Sequence, residues 1–402
     1  MRLCLVTREF PPLTEYSGGI GRQFSALATE LARQGHDVHV ATITSGPGRY
    51  EPYAGVHAHL LREARLGGPL SESRVMIRRA IDVDRLLCAT SPWDVVYAAE
   101  WRGEAVRHAA RRSRGAVVTN LASSLAKVHE ASRGDGRRSP GGISSRLRSA
   151  IQHAIERGQT ERSNAIVAPS EAILDWARRQ WRVGPIPFQV LPNMIDVAET
   201  RRLSAGAPPP GYPAAERPVV YFGRLEPVKG VDVLVRAMVR LWNEGATRRL
   251  VLIGHDTNWG GGESMSAQLE RLAGPHAERL SFIESQAPER LFPALAAAEA
   301  VVLPSRWESF SLAALEAMAL GKALVVTSVG GLGEFLEHER NALVVAPGDD
   351  LALAREIGRL LGDDALRERL AAEAADGADG FDVDPVTRRH VAFFEQVAGR
   401  VG

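Results

Sequence analysis

Along this 402-residue chain, short apolar runs alternate with stretches whose apolar positions recur every third or fourth residue. The run RLCLVT (Arg2–Thr7) suits a buried parallel strand, and GIGRQFSALATELARQGH after it has helical spacing, closed by Gly35. Asp37–Thr44 (DVHVATIT) is the next strand, and the alternation continues through Asp94–Ala99, Ala116–Ala122 and Ala165–Ser170. It restarts at Val219–Gly223 and runs through Arg249–Gly254, Leu280–Ile283, Ala300–Ser305, Ala323–Ser328 and Ala342–Ala346. Strands alternating with helices predict doubly wound parallel sheets. The chain therefore reads as an α/β protein of two Rossmann-like halves with a cleft between them, ligands binding beyond the carboxyl ends of the strands.

Three stretches interrupt the pattern. His129–Ser149 is rich in Gly, Ser and Arg without an apolar period, so it reads either as a lid or binding loop or as a surface insertion. Glu199–Pro218 is a Pro/Gly/Ala stretch with few apolar anchors, the expected inter-domain linker. Gly254–Leu269 holds a glycine-rich loop that either shapes ligand access or is an exposed insertion.

Composition narrows the function classes. Hydrophobic content of 45% and charged content of 24% are those of a globular protein, and Lys+Arg 49 against Asp+Glu 48 gives no reason to expect nucleic acid. Cys4 and Cys88 make neither a disulfide framework nor a metal-ligand spacing, and Cys4 reads as a core thiol. The apolar part of MRLCLVTREF is too short for a signal peptide, and no run approaches the ~18 apolar residues of a membrane span. The expectation is a cytoplasmic protein without membrane association. Lys127, Lys229 and Lys322 are the only lysines, so each stands out in an arginine-using chain.

Candidate chemistry lies at the strand ends. Gly18, Gly19 and Gly21 in SGGIG let backbone amides approach an anion at a helix start. A dinucleotide fingerprint fits poorly, because Arg8–Ser17 is too long for the tight turn and no acidic residue follows the second strand. In FGRLEPVKG, Arg224 and Lys229 place two cations on one short loop, which suits a diphosphate as well as a solvated surface. In RWESFSLAALEAM, Glu308 follows a strand and can accept hydrogen bonds from sugar hydroxyls, while the amides of Ser309, Phe310, Ser311 and Leu312 can meet phosphate. Glu308 reads as sitting at the start of the helix FSLAALEAMALG, so Glu316, eight residues on, falls on much the same face; it meets either vicinal ribose hydroxyls or a core arginine. The pairs Asp82/Asp84 and Asp382/Asp384 sit at no strand end and read as surface carboxylates.

Together SGGIG, LPNMID (Leu191–Asp196), FGRLEPVKG, ESFSLAALEAMALGK (Glu308–Lys322) and SVGGLGEFL (Ser328–Leu336) resemble the retaining nucleotide-sugar glycosyltransferases of family 4, which have the GT-B fold. The resemblance covers nearly the whole chain. It implies a first, acceptor-side domain over 1–198, a linker over 199–217, a nucleotide-sugar domain over 218–385 and a final helix over 386–402 crossing back to the first domain. It implies that Gly18 and Gly19 lie near the donor phosphates. Arg224 and Lys229 bind the diphosphate, Glu308 contacts the transferred sugar, Glu316 holds the ribose, and Ser285 in FIESQ is where the base rests. Ser309 to Leu312 complete the donor site. It implies retention, no metal ion and no cofactor beyond a UDP- or GDP-linked sugar as substrate; a homodimer is among the states it allows.

Two departures bear on specificity. Met194 stands where relatives carry a glycine, so the turn can differ there. Ser123 stands where relatives often carry a histidine facing the sugar near C6, with Ser124, Lys127 and His129 as its neighbours in the acceptor or sugar pocket. The small serine makes room for a donor altered beyond C5, or goes with an acceptor such as sulfur that needs little base assistance. The expected enzyme transfers sugar to a small polar acceptor, as in specialised-metabolite assembly. The alternatives are assembly of a cell-surface polysaccharide or glycolipid and a non-catalytic nucleotide-sugar-binding protein; an epimerase and an NAD oxidoreductase fit the motifs less well.

Overall fold

The computed structural model describes residues 1–11, 13–14, 18–44, 48–63, 70–111, 115–122, 124–133, 143–257 and 262–401. Its first strands are β1 (Arg2–Val6), β2 (Asp37–Thr44), β3 (Gly48–Tyr53), β4 (Val56–Arg62), β5 (Val95–Ala99), β6 (Ala116–Asn120), β7 (Ala165–Ala168) and β8 (Phe188–Val190). They form one sheet in the order β3-β4-β2-β1-β5-β6-β7-β8, parallel throughout except for the antiparallel β3–β4 hairpin. Alternate residues feed opposite faces. Leu3, Leu5, Val38, Val40, Val95 and Tyr97 face helix Gly19–Arg33, whose Phe24, Leu27 and Leu31 join the same core. Cys4, Val6, Ala41, Val96 and Ala98 face helix Ser71–Thr90 through Val83 and Leu87. Cys4 is fully buried, and that burial pushes its thiol up to about 12.

The second set is β9 (Val219–Phe222), β10 (Leu250–Ile253), β11 (Leu280–Ile283), β12 (Ala300–Leu303), β13 (Leu324–Thr327) and β14 (Leu343–Val345). Its order is β11-β10-β9-β12-β13-β14, all parallel. Val220, Val251, Val301 and Val326 face one core, and Val219, Leu252, Val302 and Val325 the other, so both faces are buried as a doubly wound sheet requires. From β9 the chain steps outward to β10 and β11, then returns to place β12 on the other side of β9. The carboxyl ends of β9 and β12 therefore form the topological switch point of this sheet.

The chain divides into two units, one of Met1–His129, Gly141–Met194 and Val383–Gly402, the other of Glu130–Pro140 and Ile195–Asp382. Residues 199–217 are thus no free linker. They begin inside helix Val197–Leu203, whose Val197 is buried in the second unit's core together with Tyr212, and Tyr212 Oη donates to Ala294 O at 2.6 Å. Helix Val383–Val401 buries Val386, Phe393, Phe394 and Val397 in the first unit.

Three further expectations change. The stretch read as a loop to Ser149 is helical from Ile143, in helix Ile143–Arg162, while residues 134–142 lie outside the described residues. Asp84 is no surface carboxylate: it is buried, with Arg107 Nε at 2.9 Å and Arg111 Nε at 2.8 Å supplying the countercharge that burial demands. Met194 is buried in a turn that needs no left-handed residue, its N–H donating to Gln23 Oε1 at 2.9 Å while its carbonyl accepts from Gln23 Nε2 at 2.6 Å.

Candidate functional site

Two loops meet at the switch point of the second unit. After β9, Arg224 is half-exposed with Nη2 3.0 Å from Glu226 Oε1, and its carbonyl accepts the buried Tyr221 hydroxyl at 2.8 Å. Burial pushes that phenol well above its usual range, so it stays a neutral donor. Pro227–Lys229 then makes one 3-10 turn, and helix Val231–Asn243 begins after Gly230. Gly230 has φ 67°, and a Cβ there would stand 1.9 Å from the Pro304 carbonyl oxygen, so only glycine lets the two loops close.

From the other loop, after β12, comes the partner. Lys229 Nζ donates to Glu308 Oε1 at 2.7 Å across 79 positions of sequence. Ser305 Oγ donates to the same oxygen at 3.0 Å, and Thr327 Oγ1 donates to the Ser305 carbonyl at 2.5 Å. Both of these hydrogen bonds to the carboxylate fall on Oε1, which orients the group while Oε2 receives neither. Side-chain exposure is 22% for Lys229 and 14% for Glu308, so the pair is shielded yet reachable. Gly330, with φ 49°, packs against the same segment: a Cβ there would lie 1.8 Å from the Glu308 carbonyl oxygen.

An ion pair that the sequence reading did not single out ties the loops together. Arg306 donates through Nη1 to Asp232 Oδ1 at 2.7 Å and through Nη2 to Oδ2 at 2.9 Å, a bidentate fork. Nη1 also donates to Pro227 O at 2.5 Å, and the Arg306 amide to Val228 O at 2.8 Å. Burial pushes the Asp232 carboxyl up, but the Arg306 bonds and charge hold it below its usual value. Asp232 lies two residues past Gly230 and Arg306 two before Glu308, and only the pairing across the sheet reveals their work.

The E-x7-E spacing has a different basis from the one expected. The helix here is Leu312–Ala319, capped by Ser311 Oγ accepting from Ala314 N at 3.2 Å, so Glu308 precedes it and the two glutamates do not share one helical face. Glu316 is buried within that helix, alongside buried Ser309, Ser311 and Leu312, while Phe310 stacks on Phe335 at 4.8 Å. Ser285 is exposed in the loop after β11.

In the first unit, Gly18 precedes helix Gly19–Arg33, but its amide donates to Glu9 Oε2 at 2.7 Å, so an acidic side chain already occupies that helix start. Gly19 is exposed. Ser123 and the side chain of His129 lie outside the described residues. Ser124 is buried at the start of helix Leu125–Arg133, accepting from the Lys127 amide at 3.3 Å. A buried carboxylate braces that helix start. Glu156 accepts from the amides of Leu125 at 3.0 Å and Arg102 at 3.1 Å, and from Gln152 Nε2 at 2.8 Å. Burial raises its carboxyl to about 7 against the pull of those donors. Nothing in the sequence set Glu156 apart from neighbouring helix-surface glutamates.

Comparison with known proteins matches both halves. The family of glycosyl transferases group 1 matches residues 216–363, and a glycosyl transferase 4-like domain matches residues 18–194. The glycogen synthase of Mycobacterium tuberculosis is 30% identical over 394 residues, covering 93% of this chain and 89% of that protein. The D-inositol 3-phosphate glycosyltransferase of Actinosynnema mirum is 28% identical, over 96% of this chain and 94% of that one. Among solved structures, sucrose-phosphate synthase from Thermosynechococcus elongatus superposes with a TM-score of 0.79 at 20% identity, covering 99% of both chains. An Anabaena protein solved with UDP and glucose gives 0.69 at 18% identity, over 98% of this chain and 99% of that one.

Proposed function

The chain belongs to the group 1 glycosyl transferases with the GT-B fold, and we propose that it moves a glycosyl unit from a UDP- or GDP-sugar to a small polar acceptor, with retention and without a metal ion in the transfer step. The observation that carries this reading is the Lys229–Glu308 contact at the switch point of the second unit, an ammonium and a carboxylate side by side where sheets of this kind bind ligands. A nucleotide sugar presents the matching pair of chemistries. Lys229 and Arg224 neutralise the diphosphate as it departs, the strongest demand for charge in the transition state. Glu308, oriented through Oε1 by Ser305, offers its other oxygen to the hydroxyls of the transferred sugar. Glu316 holds the ribose. A small polar acceptor is supported by the likeness to an enzyme named for D-inositol 3-phosphate, and a growing glycan, the second reading, by the likeness to a glycogen synthase.

The test is release of nucleoside diphosphate from a panel of UDP- and GDP-sugars, with and without inositol phosphates and glycans, in the presence of EDTA. Turnover is expected with at least one donor, and Lys229→Ala should lower kcat at least about 100-fold, the scale of a lost transition-state charge partner. Wild-type turnover in Lys229→Ala, or complete loss of turnover on adding EDTA, would overturn the corresponding part of the proposal.

A further inference from the structure

The amino ends of the second sheet's strands form the edge opposite Lys229 and Glu308, and they carry a second concentration of charge. β10, β9, β12 and β13 are neighbours in that order, about 4.8 Å apart. Arg248 stands two residues before β10, Arg217 two before β9, Glu299 immediately before β12 and Lys322 two before β13. All four strands run parallel, so these residues share one edge. Arg367, in the first turn of helix Asp364–Ala378, reaches the same place, its Nη1 3.0 Å from Glu299 Oε1.

The charges there do not balance. Asp364 answers Arg367 at 2.6 Å, and Glu216 answers Arg249 at 3.2 Å. Arg217, Arg248 and Lys322 are left to share the buried Glu299, a surplus of two positive charges. Glu299 Oε2 has Arg217 Nε at 3.1 Å and Arg248 Nη2 at 3.3 Å. Neither is aligned to donate, and among the described residues that buried oxygen accepts no hydrogen bond. The Arg217 guanidinium is 57% exposed and donates to none of the described residues, so its N–H groups are unspent. Arg248 gives Nη1 to the Glu216 carbonyl at 3.2 Å, and Lys322 Nζ gives one bond to the Ala296 carbonyl at 2.9 Å.

Two further observations fit an excess of positive potential. Burial first, and the Arg217 guanidinium next, push the Lys322 ammonium down to about 8 against the pull of Glu299. Arg217 also holds a left-handed backbone, φ 47°, which is unfavourable for any residue but glycine. The chain thus keeps a guanidinium at this edge at a conformational cost.

We propose that this edge binds a phosphate dianion, free or as a phosphomonoester, between Arg217, Arg248 and Lys322. A phosphate carries close to two negative charges at neutral pH, which matches the surplus, and its oxygens take the planar fork of Arg217 and the remaining protons of Lys322. A carboxylate ligand would leave one cation uncompensated. Glu299 gathers the cations at one point while leaving most of their donors unspent. The bound anion offsets their repulsion and so stabilises the second unit, apart from the chemistry at the other edge of the sheet.

Full-length protein titrated with sodium phosphate by calorimetry, at constant ionic strength set with sodium chloride, tests the proposal. Binding at millimolar concentration or tighter is expected, with a thermal shift that chloride does not reproduce. Arg217→Gly removes the cation and suits the left-handed backbone, so the variant folds; it should weaken binding at least about tenfold, as the loss of a charge-assisted bond does, and Lys322→Gln likewise. Lys229→Ala should leave this affinity unchanged. Glycerol phosphate that competes marks a phosphomonoester ligand, and failure to compete marks the free ion; either result carries the site. Absence of phosphate binding to the wild type, or unchanged affinity in Arg217→Gly and Lys322→Gln, overturns it. Loss of binding in Lys229→Ala with Arg217→Gly unaffected overturns it equally, by moving the ion to the carboxyl edge.

Discussion

The fork between Arg306 and Asp232 is the interaction whose removal should separate this structure from any account based on motifs alone. Its side chains are only 10% and 14% exposed, and breaking such a pair typically costs about 3–5 kcal/mol because one buried charge is left behind. Asp232 keeps a second cation, Arg236 Nη1 at 3.1 Å, so Arg306→Met should fall below that range, at about 2–3 kcal/mol. Asp232→Asn takes the charged partner away from the Arg306 guanidinium, which keeps its bond to the Pro227 carbonyl, and should cost a similar amount. The double variant removes the pair entirely and should cost less than the sum, a coupling of about 1.5 kcal/mol or more. Urea denaturation of the four proteins reads these differences, and m should stay constant. As a control, Arg240→Met breaks the more exposed pair with Asp350 and should change stability by about 0–1 kcal/mol. Because the fork anchors the turn bearing Lys229 to the segment bearing Glu308, nucleotide-sugar turnover should fall in both single variants. Additivity within about 0.5 kcal/mol would refute the claim that the fork works as one unit.

Three further outcomes follow from the same geometry. Gly330→Ala must place a methyl group where the Glu308 carbonyl stands, so thermal shift should show reduced stability and nucleotide-sugar protection should vanish; retained protection would contradict that packing. Ser305→Ala removes one of two donors to Glu308 Oε1 and should lower kcat roughly tenfold with little change in stability, read by donor hydrolysis against unfolding curves. Glu156 has a raised folded pKa, so its protonated form is favoured by folding. The stability this contributes is full below 4.5 and is lost as pH rises toward about 7. Across that window wild type should lose about 3 kcal/mol relative to Glu156→Gln by urea denaturation at stepped pH, and a flat difference would sink the assignment.

Much of the second unit was legible in the sequence because its code is local. Val219–Phe222, Ala300–Leu303 and their neighbours are continuous valine-rich apolar runs that bury both faces, and a parallel strand needs nothing else to be recognised. Arg224, Lys229 and Glu308 were visible as charges placed where such strands end. The β3–β4 hairpin went unseen because GRYEPY and VHAHLLR mix polar and apolar residues, as a sheet margin does. Asp84, Glu156 and Arg306 were misread or unseen for one reason: a charged residue on a helix looks solvated until a distant partner is brought against it.

What the sequence by itself determined is the alternation of strands and helices, hence two doubly wound sheets, and the positions of the glycines that let loops approach closely. What only the tertiary structure decided is which charges meet. Lys229 and Glu308 are 79 residues apart, and nothing local records that β12 returns to lie beside β9. Strand formation depends on the periodicity of near neighbours, whereas the pairing of a carboxylate depends on what low-dielectric packing leaves within about 3 Å of it.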